Sequence, residues 1–166
     1  MVELGIIGAK NSGKTTVIEG LIGYLVGRGY KVATIKHTSH AHRFDSPGKD
    51  SFRHRQAGAG LTIAMSTDEM AIFTQPDLLD KRRLQKLMEA QIDLWLIEGE
   101  RNAAFRKVLV TRNLGELSGP LPENIVATIG PVRLNGVPVH FEPNDFDGLG
   151  SFVGELMLKK KTEMPK

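Results

Sequence analysis

Apolar and polar positions along this 166-residue chain alternate between two rhythms, one of short solid runs and one of helical spacing. Val2 to Ile7 is a compact apolar run bounded by glycine, which predicts a buried strand. From Lys14 onward Val17, Ile18, Leu21, Ile22, Leu25 and Val26 recur at helical spacing, and Gly27 and Gly29 supply the stop. Lys31 to Ile35 returns to the strand rhythm. Strand, glycine-rich turn, helix and strand within about thirty residues make a βαβ unit.

Lys36 to Gly60 has no sustained period, so it is either a long functional loop or a loop carrying one short helix. Leu61 to Ser66 and Ala71 to Phe73 predict short strands, with a hairpin turn around Thr67, Asp68 and Glu69. Pro76 and Asp77 open a predicted helix reaching about Gln91, with Leu78, Leu79, Leu84, Leu87 and Met88 inward. Leu94 to Ile97, Lys107 to Thr111, Ile125 to Ile129 and, more weakly, Val137 to Phe141 complete the strands. Asn144 or Asp145 can cap a last helix whose inner stripe is Phe146, Leu149, Phe152, Val153, Leu156 and Met157. Strands alternating with helices predict an α/β fold of the P-loop NTPase type, a mostly parallel sheet covered by helices on both faces. Length and pattern together predict a single nucleotide-binding domain over residues 1–158 and a flexible tail at 159–166.

Composition changes this picture little. Apolar content of 40% and charged content of 25% are ordinary for a globular chain, and no apolar stretch is long enough to span a bilayer. Met1 runs straight into the first strand with no basic lead, which argues against a signal peptide. The chain has no cysteine, so disulfides, thiolate zinc sites and cysteine nucleophiles are excluded; a reducing, cytoplasmic setting is expected. A net charge of +3 is too small to make nucleic acid the partner, and a membrane is not expected either. Charge distribution is more informative: Lys36, His37, His40, His42, Arg43, Lys49, Arg53, His54 and Arg55 crowd one segment.

The chemistry is concentrated in Gly8-Ala9-Lys10-Asn11-Ser12-Gly13-Lys14-Thr15, which satisfies G-x-x-x-x-G-K-[ST], the Walker A pattern. Its glycines let consecutive N–H groups turn toward phosphates, and the helix that follows adds the positive end of its dipole. Lys14 is placed to reach the β and γ phosphates and the Thr15 hydroxyl to ligate Mg²⁺, with Gly8, Asn11, Ser12, Gly13 and Thr16 completing the nucleotide-binding set. An acidic partner for the metal is offered by Glu98, which follows the apolar run Leu94 to Ile97 as in a Walker B strand; Asp93, at the strand's entrance, is expected to cap or to be solvated. Lys10 is expected to face solvent or to steer phosphate.

Asp45-Ser46-Pro47-Gly48-Lys49-Asp50-Ser51 is the second unusual stretch. Asp45 or Asp50 could hold Mg²⁺ through a water and Lys49 could reach phosphate, or the stretch is a solvated turn. The four histidines of this region raise the possibility of a transition metal. Arg53 and Arg55 flank His54 and oppose a cation, so an anion is the expected ligand.

These residues resemble the molybdopterin-guanine dinucleotide biosynthesis protein B family, MobB. The carriers are GAKNSGKTT at Gly8 to Thr16, VATIKHTSH at Val32 to His40, FDSPGKDSFRHRQAGA at Phe44 to Ala59 and DLWLIEGER at Asp93 to Arg101. The resemblance implies a cytoplasmic, homodimeric, GTP-binding accessory protein with weak GTPase activity, working on molybdopterin with MobA, the guanylyltransferase that joins GMP to it. It also implies a role for the basic segment, here Lys36, His37, Lys49, Asp50, Arg53, His54 and Arg55, in binding anion or molybdopterin. A non-catalytic nucleotide-gated adapter and a small-molecule kinase are the competing readings. The guanine-reading N-K-x-D motif is absent, Val110-Thr111-Arg112-Asn113 is a loose candidate for its role, and GTP over ATP is what the resemblance implies.

Overall fold

The computed structural model describes residues 2–38, 43–117 and 119–163, which divide into two compact units: residues 1–37 with 91–166, and residues 38–90. In chain order the elements are β1 (Val2–Gly8), α1 (Lys14–Val26), β2 (Val32–Lys36), α2 (Asp50–Gln56), β3 (Leu61–Met65), β4 (Met70–Thr74) and α3 (Lys81–Leu87). They continue with β5 (Leu94–Glu98), β6 (Arg106–Val110), β7 (Ile125–Ile129), β8 (Val139–Phe141) and α4 (Phe146–Glu163).

The larger unit is a six-stranded sheet in the order β2-β5-β1-β6-β7-β8, parallel at every pairing. This is the expected α/β class. Because side chains alternate across a strand, one face presents Leu4 and Ile6, Leu94 and Leu96, Val108 and Val110, Ala127 and Ile129. The same core cluster takes in Val17, Ile18, Leu21 and Leu25 of α1 and Leu149, Val153 and Met157 of α4. These two helices approach closely because glycine faces aromatic ring on both sides: the Phe146 ring occupies the space a Gly20 side chain would need, and the Tyr24 ring does so at Gly150. Asp145 caps α4 by accepting from the Gly148 N–H at 2.9 Å. α4 continues to Glu163, past the position where the apolar stripe ends.

Lys107, read from the sequence as the start of a strand, is 1% exposed. Its ammonium donates to the carbonyl oxygens of Ala103, Phe105 (3.1 Å) and Glu123 (2.9 Å), tying the lead-in of β6 to the lead-in of β7. Burial pushes its pKa below the ordinary lysine value, against the pull of the Glu123 carboxylate.

In the smaller unit the described part of the long polar segment, from residue 43 on, holds one short helix, α2. β3 and β4 form the predicted hairpin, paired from Leu61 opposite Thr74 to Met65 opposite Met70. Ser66 leaves the strand and organises the turn, its hydroxyl accepting from the N–H groups of Asp68 and Glu69. The helix anticipated from Pro76 to Gln91 shrinks to α3, Lys81–Leu87. Its cap is Asp80, which accepts from the Arg83 N–H at 2.8 Å, while the Arg83 guanidinium ties up the carbonyls of Asp77 and Leu78. Residues 76–79 therefore close as a turn. So short a helix has room for few inward positions, and Leu78 and Leu87 are 53% and 69% exposed where the pattern had them inward. At the chain's other weak strand, β8 begins at Val139, since Pro138 has no N–H to donate. Among the described residues no helix is long and apolar enough to cross a membrane.

Replacing Lys107 by methionine keeps the length of the side chain but leaves three carbonyls without their donor. The expected cost is about 3 kcal/mol of unfolding free energy in urea denaturation. A loss below about 0.5 kcal/mol would mean that water satisfies those carbonyls.

Candidate functional site

The glycine-rich loop emerges where β1 ends, at the carboxyl edge of the sheet and between the ends of β5 and β6. Gly8 and Gly13 have φ of 156° and 94°, and Asn11 sits in the left-handed region at 57°. A side chain on Gly8 would come within 2.7 Å of Ser12 Oγ and 2.8 Å of the Val110 carbonyl, so glycine is required there for space as well as conformation. The Ser12 N–H donates to Ala9 O at 3.3 Å and the Val17 N–H to Gly13 O at 3.0 Å, which closes the loop onto the first turn of α1. Ser12 is buried, and its hydroxyl has no partner among the described residues.

Lys14 folds back over this loop, its ammonium donating to Ala9 O at 2.6 Å and Gly8 O at 3.2 Å. Burial lowers the Lys14 pKa from the ordinary lysine value, the Glu98 carboxylate pulls it up again, and the charge of Lys36 lowers it. Glu98 stands at the end of β5, in register with Ile6 of β1 on one side and Lys36 of β2 on the other. Its carboxylate lies 3.6 Å from the Lys36 ammonium and is mostly buried, whereas the lysine side chain is exposed. The His37 N–H donates to Glu98 O at 2.9 Å, so the end of β2 is fastened to the end of β5.

These groups enclose a cavity of about 400 Å³ lined by the loop from Lys10 to Thr16 together with Lys36 and Glu98. A cavity whose floor is a helix N-terminus and a half-buried ammonium is suited to a polyanion. One carboxylate and one hydroxyl-bearing helix turn at its rim are suited to a hard cation such as Mg²⁺. The loop from Lys10 to Thr16 and Glu98 are thus brought together, and Lys36, which the sequence grouped with the basic segment, joins them. Asp93 is not part of this group; it caps the strand entrance by accepting from the Lys31 N–H at 2.9 Å. Arg101 donates to Pro120 O.

The remaining candidates belong to the smaller unit and form a cluster of their own. Asp45, buried, accepts from Ser51 Oγ at 3.1 Å and from the Arg55 guanidinium at 3.2 Å. Arg55 also lies over the Phe73 ring, 5.4 Å from its centre. Both Asp45 and Arg55 therefore serve to hold α2 onto its own lead-in. Arg53 reaches Asp50 at 3.5 Å with both side chains largely solvated, and Lys49 and His54 are exposed. His40 and His42 lie outside the described residues, and among the described ones no group of three histidine or acidic residues is placed to hold a metal.

Sequence reasoning missed two features of the larger unit. The Lys36–Glu98 pair joins strands separated in sequence by the whole of the smaller unit, so no local spacing could reveal it. A second cavity of about 280 Å³ adjoins the loop at the carboxyl ends of β6 and β7, where Arg112, Pro131 and Asn144 meet Ser12, Gly13 and Thr16. Its one legible signal was Thr111-Arg112-Asn113, directly after a strand.

The model of the MobB family, described as molybdopterin guanine dinucleotide synthesis protein B, matches residues 3–130. The molybdopterin-guanine dinucleotide biosynthesis adapter protein of Escherichia coli (strain K12) is 36% identical over 159 residues, covering 90% of this chain and 89% of that protein. The protein of the same name from Haemophilus influenzae is 39% identical over 123 residues, 72% of this chain and 67% of that one. Among solved structures, that of Bacillus subtilis MobB matches with a TM-score of 0.76 at 25% identity, covering 93% of this chain and 98% of that one. A MobB homolog from Bacillus stearothermophilus matches with a TM-score of 0.66 at 22% identity over 96% and 99% of the two chains, a likeness of fold.

The electrostatics around Lys14 can be read directly. Removing the carboxylate in Glu98→Gln should lower the Lys14 pKa further, and removing the ammonium in Lys36→Met should raise it, because the two charges act with opposite sign. A nuclear magnetic resonance titration of the Lys14 side chain measures both. A pKa that rises in Glu98→Gln would contradict the geometry of the cavity.

Proposed function

The chain belongs to the molybdopterin guanine dinucleotide synthesis protein B family, and from that premise we propose that it is a GTP-binding adapter of molybdenum cofactor biosynthesis. In this reading it assists a guanylyltransferase partner, MobA, that joins GMP to molybdopterin. The observation that carries the nucleotide assignment is the closed loop between β1 and α1 with the Lys14 ammonium folded over it. Phosphates entering the cavity take the N–H groups from Gly8 to Thr16. Lys14 exchanges two neutral carbonyls for charged phosphate oxygens, a stronger pairing. The Thr15 hydroxyl and Glu98 would hold Mg²⁺, which would supply positive charge to the phosphates, with Lys36 giving up the carboxylate. The residues fit this ion: a single mostly buried carboxylate whose partner is an exposed lysine is readily released to a divalent cation.

Turnover by the isolated chain is slow in this reading. The cavity is lined by lysine, asparagine, hydroxyl residues, glycine and Glu98, and among the described residues it has no glutamine to orient water and no arginine to neutralise transition-state charge. The adapter designation of the relatives favours the nucleotide as a gate for partner binding over hydrolysis as the purpose. A small-molecule kinase is disfavoured, because Arg55 is occupied by Asp45 and Arg53, the other arginine of α2, reaches Asp50. Lys49, Arg53 and His54 form an exposed basic face supporting an anion such as molybdopterin, with Asp45 and Arg55 as its scaffold. A homodimer is supported by the outer face of the β3–β4 ribbon, where Leu61, Ile63, Met65, Met70 and Ile72 are 46–71% exposed.

Lys14→Ala should abolish tight GTP binding, by at least a hundredfold in calorimetry, while the thermal transition stays within a few degrees. Glu98→Gln should retain binding but lose its Mg²⁺ dependence; unchanged dependence would remove Glu98 from the metal site. For the dimer, Ile63→Asp with Ile72→Asp should give monomers in sedimentation equilibrium, and a dimer of unchanged strength would remove the ribbon from the interface.

A further inference from the structure

We propose that the cavity at the carboxyl ends of β6 and β7 seats the purine of the bound nucleotide, and that Arg112 makes this seat prefer guanine. The inference rests on the nucleotide reading of the glycine-rich loop and adds to it the residue that chooses the base. The cavity of about 280 Å³ shares Ser12, Gly13 and Thr16 with the larger one over the loop, so the two are adjoining compartments along the start of α1. One is rich in N–H donors and lysines. The other is walled by Pro131, Pro143 and Phe146 and has the size and apolar character of a seat for a flat ring. A nucleoside triphosphate has the same division, a polyanionic chain at one end and an aromatic ring at the other.

Charge then selects the ring. Among the described residues no carboxylate lines this cavity, and Arg112 is the charged group that does. The backbone at that point is anchored: the Thr111 N–H donates to Ile129 O at 2.9 Å and the Thr111 hydroxyl accepts from the Val132 N–H at 3.1 Å. The Arg112 guanidinium itself is exposed and makes no hydrogen bond or ion pair among the described residues. A fixed backbone carrying an uncommitted fork of donors is a reader for two adjacent acceptors. Guanine offers O6 and N7 side by side, whereas adenine places a donor, its 6-amino group, where O6 would be. Asn144 also lines the cavity, but its amide both donates and accepts and suits either base.

The test is calorimetric binding of GTP, inosine triphosphate, ATP and inorganic tripolyphosphate, each with Mg²⁺, to the full chain and to Arg112→Ala. Inosine triphosphate keeps O6 and N7 and lacks only the 2-amino group. The expected result is that GTP and inosine triphosphate bind alike and roughly tenfold tighter than ATP. In Arg112→Ala both should fall to the level of ATP, with tripolyphosphate unchanged within about twofold. The proposal is overturned if the wild-type chain does not distinguish GTP from ATP, if inosine triphosphate binds as weakly as ATP, or if the preference survives in Arg112→Ala. It is also overturned if tripolyphosphate weakens in step with GTP, since Arg112 would then be acting on phosphate. A wild-type chain that binds neither tripolyphosphate nor any nucleotide overturns the reading of the loop itself, and so separates that failure from failure of the base seat alone.

Discussion

The confinement of β1 between β5 and β6 is the constraint from which the rest of the site follows. A strand paired in parallel on both sides, with Leu4 and Ile6 packed under α1, has no freedom in where it ends. The chain must then reverse within a few residues to enter a helix on the face it has just packed. Glycine at positions 8 and 13 makes that reversal possible, and the start of α1 leaves first-turn N–H groups that have no partner within the helix. The anion-binding character of the loop is thus a by-product of how a buried strand is joined to a buried helix.

The same topology decides which other residues attend the loop. Strand order reverses around β1: the chain moves out to β2 beyond β5 on one side and later to β6, β7 and β8 on the other. The carboxyl ends of strands from both halves of the unit therefore converge on one rim. From one half come Lys36 and Glu98, an ion pair whose carboxylate also tunes the ammonium of Lys14. The other half contributes Arg112 and the proline-walled cavity beside the start of α1. Charge of both signs lies on the β2 and β5 side, and the cavity on the β6 and β7 side has Arg112 beside apolar walls.

Two charges in the interior, those of Lys107 and Asp45, are handled by dense internal pairing. Lys107 brings three carbonyls to one ammonium, and Asp45 brings a hydroxyl and a guanidinium to one carboxylate. Each arrangement removes a charge from availability to ligands while locking two loop segments together, which is the condition under which a buried ion is tolerated. Arg55 illustrates the consequence for reading function: an arginine in a basic run is a ligand-facing group only if nothing nearer has claimed it.

Local pattern alone determined a good deal of this protein. The spacing from Val17 to Val26, the runs at Val2, Leu94 and Ile125, and the G-x-x-x-x-G-K-T loop each depend on contacts a few residues apart or on burial that any parallel sheet imposes, so strand, loop and helix were legible with their places. Glu98 was legible for the same reason, as an acid ending a fully apolar run. Only the tertiary structure decided what sequence distance concealed. The pairing of Lys36 with Glu98 needs β2 and β5 to be neighbours, and the enclosure of Lys107 needs two loop segments to meet. The shortening of α3 turns on Asp80 and Arg83 capturing the backbone first, a competition between two plausible caps that periodicity cannot rank. Arg112 was visible as a residue after a strand, but that it stands uncommitted beside the loop is a property of six strand ends brought to one edge.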